Sequence, residues 1–116
     1  MNISCLFYKR DGTEMECEDW INRFERDPSY KRVSWTRVPK TKKWISTIWL
    51  GLDHQYGDGP PLIFETMVFN GSASPIACRR YTSEKEAIAG HAVIVRQYMV
   101  NRAMRRRKKG TGDGQN

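Results

Sequence analysis

The sequence predicts an α+β domain: a mostly antiparallel sheet of about four to five strands, one short N-terminal helix, and one long C-terminal helix packed on the sheet. Two observations carry this. Residues 43–52 and 62–70 are dense in Ile, Trp, Thr, Val and Phe and are separated by a Gly/Pro-rich loop. Further on, Ser83 and Glu86 form a capping box that opens a long stretch with an apolar stripe.

Taken in order, Ile3–Tyr8 is an apolar run of strand length, closed by the turn signal Arg10-Asp11-Gly12. Glu18–Arg26 reads as a short helix with Trp20, Ile21 and Phe24 on one side, acids in its first turn, Arg23 and Arg26 in its last, and Pro28 to end it. Lys31–Val38 alternates as a strand before Pro39. Lys43–Leu52 and Leu62–Asn70 then form a hairpin around the loop Asp53–Pro61; pairing Leu52 with Leu62 sets Glu65 opposite Trp49. Ile76–Thr82 adds a strand after the Gly71–Pro75 turn. The closing helix carries Ala87, Ile88, His91, Ile94, Val95, Tyr98 and Met99 on its stripe, and Gly110 is read as its stop. Residues 1–100 are thus expected to form a single domain and 101–116 a basic helix end with a polar, frayed tail.

With 116 residues the chain has room for one domain and a real core. No apolar run approaches the ~18 residues that would span a bilayer, and the first residues do not read as a signal peptide. The expectation is a cytosolic chain with no membrane partner. Cys5, Cys17 and Cys78 are scattered, without metal-ligand spacing, so free thiols are expected, with neither metal nor cofactor.

Charge is concentrated. The formal net charge is +7, yet residues 31–43 hold six cations and residues 102–109 six more, with no acid in either block. The remainder is net acidic. Lys40, Lys42 and Lys43 in the first block, and Arg102, Arg105, Arg106, Arg107, Lys108 and Lys109 in the second, are candidate polyanion contacts. A solvated helix end suited to the macrodipole is the plainer alternative for the tail. Trp35, Trp44 and Trp49 lie on strands beside the first block; rings interleaved with cations on a sheet suit stacked bases, whereas large rings in a small domain more often serve a core.

Three features point to a site. The loop Asp53-His54-Gln55-Tyr56-Gly57-Asp58-Gly59-Pro60-Pro61 joins glycines, which admit close backbone approach, to an acid and an imidazole. It is longer than most hairpin loops and lacks the Lys-Ser/Thr of a phosphate-binding loop. Glu65 sits on a strand apolar on both faces, so it is expected to be buried and paired. His91 falls on the apolar stripe, where a satisfied core histidine is the ordinary outcome. Asp53, His54, Tyr56, Gly57, Gly59, Glu65 and His91 make up the candidate ligand or partner site, with no residue assigned to catalysis.

The segments Ser46-Thr47-Ile48-Trp49-Leu50-Gly51-Leu52-Asp53-His54, Gly59-Pro60-Pro61 and Phe64-Glu65-Thr66-Met67-Val68-Phe69 resemble a group of small tailed-bacteriophage and prophage proteins with an STxxLGLDH…GPPxxFETMVF core. The likeness continues through Arg80-Tyr81-Thr82 and Glu86-Ala87-Ile88-Ala89-Gly90-His91, departs at Asp58, where that pattern has glycine, and does not include the basic tail after Tyr98. It implies a phage origin, action in the host cytoplasm, and Asp53, His54, Glu65 and His91 as candidates for a shared site. Together these lead to a non-catalytic binding protein for nucleic acid or a nucleic-acid-handling host protein complex, with antagonism of host defence, in the manner of anti-CRISPR proteins, as one specific form. The alternative is a small enzyme or nucleotide-binding protein that uses the Asp53–Pro61 loop with Glu65 and His91.

Overall fold

Alternation along the chain sets which side chains are buried. The computed structural model describes residues 7–53 and 59–115, with side chains of the last helix described as far as Val100. The elements are β1 (Phe7–Tyr8), β2 (Glu14–Met15), α1 (Cys17–Arg26), α2 (Pro28–Lys31), β3 (Arg32–Arg37), β4 (Lys43–Trp49), β5 (Phe64–Asn70), β6 (Pro75–Tyr81) and α3 (Glu84–Gln115). The strands β3 to β6 form an antiparallel meander in sequence order, while β1 and β2 make a separate two-stranded ribbon. The expected α+β class with a long C-terminal helix is the observed one.

Ile45, Thr47 and Trp49 of β4 and Phe64, Thr66 and Val68 of β5 share one sheet face, and all six are almost completely buried. Against this face lies α3. Ala87 joins Trp49, Ile63, Phe64 and Tyr81 in one cluster, and Ile94 joins Val38, Ile45 and Val68 in a second, with Val95, Tyr98 and Met99 packed beside it. Ile88, expected on the buried stripe, is half exposed. Trp20, Phe24 and Tyr30, from α1 and α2, cover Trp49 at the other end of the same face.

The hairpin register differs from the expected one by a single residue. Trp49 pairs with Phe64, and Glu65 pairs with Ile48 rather than Trp49. The cause lies just after β4. Gly51 adopts φ +76°, and the chain turns there so that Tyr8 N donates to Gly51 O at 2.7 Å and Phe7 bridges Leu52. A Cβ at position 51 would run into the Trp20 indole, whose Nε1 donates to Leu50 O at 2.7 Å. Leu52 is thereby drawn toward β1 and is not a β4 residue. Because side chains alternate, one step of register exchanges the two faces.

Three further differences have local causes. The Arg10–Gly12 turn closes a hairpin onto β2, which the sequence reading omits. Pro28 opens α2 instead of only ending α1, because proline at a first helical position lacks just the N–H that would go unused there. Finally, α3 continues through Gly110 to Gln115; an interior glycine costs a helix about 1 kcal/mol, far less than proline does. At its start, Ser83 Oγ accepts from Glu86 N at 3.1 Å, as the capping box requires, but the Glu86 carboxylate reaches Thr82 N and Oγ1. Arg10 adds a long-range tie, bonding Glu84 with two guanidinium nitrogens and Tyr30 O with a third.

Candidate nucleic-acid interface

Among the described residues every helix packs on the Thr47–Thr66 face, which leaves the other face of the four-stranded sheet without a helical cover. Strand pairing arranges that face in rows. One row runs Arg37, Trp44, Phe69; the next Trp35, Ser46, Met67, Cys78; the third Arg32, Ile48, Glu65, Arg80. Trp44 and Phe69 stack with centroids 5.0 Å apart at 17° between ring planes. Trp35 is 51% exposed. Arg32, Arg37 and Arg80 are also exposed, and Glu65 is the only acid in the three rows. The sheet thus presents flat rings among guanidinium groups.

Glu65 is buried within this face at 3% exposure. One carboxylate oxygen accepts from Arg80 Nε and from Cys78 Sγ, each at 3.0 Å. The Cys78 thiol is pushed up to about 11, first by local desolvation and then by the bond to Glu65. It therefore stays protonated at neutral pH and is a poor nucleophile.

His91 occupies the opposite face. Its Nδ1 lies 2.7 Å from Thr47 Oγ1 and its Nε2 lies 2.9 Å from Thr36 Oγ1, and Thr47 in turn bonds Thr66. Both ring nitrogens are occupied, and burial lowers the imidazole pKa. The sheet lies between His91 and Glu65, so these two residues do not meet at one site. Asp53 Oδ1 accepts from Leu62 N at 3.0 Å and ties the two ends of the long loop together, while Gly59 is exposed. His54, Tyr56 and Gly57 lie outside the described residues. Among the described residues no three His, Cys, Asp or Glu side chains are placed to hold a metal ion, and no helix is long and apolar enough to cross a membrane.

The direction of α3 relates the two basic blocks. Ala87 lies over the Trp49 end of the sheet and Ile94 over the Val38 end, so the helix runs toward the β3–β4 turn. That turn holds Lys40 and Lys42, both exposed, and leads into Lys43; Lys40 takes φ 62°. The helical backbone of residues 102–109 continues past the same end, although the side chains of Arg102, Arg105, Arg106, Arg107, Lys108 and Lys109 lie outside the described residues. Lys40, Lys42 and Lys43 of the first block and the helical backbone of the second thus fall toward one pole of the molecule, while Lys31 and Arg32 lie at the opposite end of β3.

Of the three tryptophans grouped by their place beside the first block, Trp35 and Trp44 lie on the open face and Trp49 does not. Trp49 is fully buried and donates to Tyr8 O at 2.8 Å. Phe69 takes the place expected for Trp49, and Arg32, Arg37 and Arg80 complete a set that the sequence reading did not assemble. Their alternation was visible, but the pairing that aligns them was not. Comparisons with known proteins find no matching family model, no matching curated protein and no matching solved structure.

Proposed function

We propose that this chain is a non-catalytic binding protein that holds single-stranded nucleic acid on the open face of its sheet, with the basic pole adding phosphate contacts. One observation carries the reading: exposed Trp35 and the stacked Trp44–Phe69 pair stand among Arg32, Arg37 and Arg80 on a face that no described helix covers. Base–aromatic stacking contributes about 1–3 kcal/mol per base and tolerates any sequence, and the Arg32 and Arg37 guanidinium groups in the same rows suit the phosphates, while Arg80 is held by Glu65. A duplex keeps its bases stacked inside and offers these rings nothing to hold. The phage resemblance supports a setting in the host cytoplasm, where occupying a strand or the strand groove of a host-defence complex, as an anti-CRISPR protein would, is the specific form of action we favour.

Fluorescence anisotropy with a labelled oligothymidine and a labelled duplex of equal length, at fixed salt, tests this. The single strand binds more tightly than the duplex, and Trp35→Ala weakens it by about tenfold while leaving the melting temperature nearly unchanged, because Trp35 is exposed. Equal affinity for both forms, unaffected by Trp35→Ala, would refute the reading.

A further inference from the structure

The C-terminal helix outruns the sheet it packs on. Among the described side chains Met99 is the last of α3 to pack on the core, and Val100 is already 53% exposed. The backbone stays helical to Gln115, so α3 forms an arm beyond the sheet in a molecule of 69 × 30 × 22 Å. From Met99 to Lys109 the arm advances about 15 Å, at ~1.5 Å per residue. Residues 102–109 on it hold six cations and no acid. The helix dipole does not account for them, because its effect is confined to the last turn, and the last turn of α3 holds no basic residue. Arg102, Arg105, Arg106 and Lys109 instead form pairs three or four residues apart, where like charges destabilise a helix. A polyanion against the arm relieves that repulsion.

The arm and the open sheet face differ in chemistry. The face has rings, Trp35, Trp44 and Phe69, and only Arg32 and Arg37 as cations with no carboxylate partner among the described residues. Residues 101–116 contain no aromatic residue at all. Rings with sparse charge suit unstacked bases. Dense charge on a ringless helix suits a duplex, whose bases are already stacked and whose phosphates line its grooves. The major groove of B-form DNA is about 12 Å wide and admits one helix, about 10–12 Å across with its side chains. The two surfaces also adjoin. Trp44 and Phe69 pair in the row nearest the β3–β4 turn, and α3 leaves the sheet past that same turn.

We propose that the ligand is a DNA junction, its single strand on the open sheet face and its adjoining duplex on the arm of α3, which lies in the major groove. Exposed Lys40 and Lys42 stand at the turn where the strand passes into the duplex. The inference rests on strand binding at the sheet and adds the other half of the substrate.

Fluorescence anisotropy of the full chain at fixed salt tests this, with labelled oligothymidine, a blunt duplex, and that duplex carrying an oligothymidine tail at its 5′ or its 3′ end. At least one tailed duplex binds about tenfold or more tighter than either piece alone, because the second contact becomes intramolecular. Changing Arg105, Arg106 and Arg107 together to Ala abolishes that preference; alanine keeps the arm helical, and the melting temperature holds. Met104→Pro, which breaks the arm but retains every cation, abolishes it too. A preference that survives either variant overturns the groove-bound helix. Tailed duplexes that bind no tighter than oligothymidine, while Trp35→Ala still weakens both, overturn the junction and leave strand binding in place. Tailed duplexes that only match the blunt one, and are insensitive to Trp35→Ala, overturn strand binding and the junction with it.

Discussion

Both ring nitrogens of His91 already have threonine partners, and burial holds its pKa below the ordinary value of 6.5. In the unfolded chain the imidazole takes up a proton near pH 6.5, whereas in the folded protein it does so only at lower pH. Stability is therefore complete above pH 6.5 and declines as pH falls below it. Urea midpoints at pH 7.5 and 5.0 should show this loss, and His91→Gln should remove much of the difference; a midpoint independent of pH would count against a neutral, doubly bonded His91. The Glu65–Arg80–Cys78 group on the other face has a different task, since it neutralises the Arg80 guanidinium and leaves Arg32 and Arg37 as the cations of the three rows with no carboxylate partner among the described residues.

At the scale of elements, Gly51 decides which face each side chain of β4 and β5 takes, because it turns the chain toward β1 immediately after Trp49. Its positive φ and its contacts with Trp20 and Trp49 leave no room for a methyl group. Gly51→Ala should lower stability by about 2 kcal/mol or more, from backbone strain together with the displaced indoles. Gly12→Ala gives the comparison, for Gly12 also has positive φ (92°) but nothing within 4 Å of the added carbon. It should cost only the backbone term, about 1 kcal/mol. Equal losses in thermal melts would mean that the indoles do not pack as described. Much of this architecture was legible in the sequence: the strand runs around Ile45–Trp49 and Phe64–Val68 follow from β-branched and aromatic density, and α3 from its cap and stripe. The register was not, because it rests on a glycine turn pairing with a strand more than 40 residues earlier. The site suffered the same limit. Trp35 and Trp44 stood out beside a basic block, but only correct pairing separates them from Trp49 and brings Phe69 and Arg80 alongside. Short elements such as β2 and α2 carry too few residues to show a period at all.

For the whole molecule, helices on one face and rings with guanidinium groups on the other give two sides with separate duties: one holds the fold, the other is open to a ligand. The direction of α3 adds a pole where Lys40, Lys42 and the start of the 102–109 segment converge. If that pole contacts phosphates, changing Arg105, Arg106 and Arg107 together to Ala should reduce the slope of log affinity against log salt by about 2, given ~0.7 per phosphate contact on a single strand. The fold should persist, since these positions lie beyond the apolar stripe that ends at Met99. An unchanged slope would confine binding to the sheet.

The central claim, that a strand lies on the open sheet face, is tested most directly by the four tryptophan indole N–H signals in a heteronuclear NMR titration with oligothymidine. Trp20 and Trp49 serve as internal controls, because their indoles donate to Leu50 O and Tyr8 O on the helix-covered side. On this account the Trp35 and Trp44 signals move progressively to saturation while those of Trp20 and Trp49 stay in place. Saturating oligonucleotide that leaves Trp35 and Trp44 unmoved would contradict it.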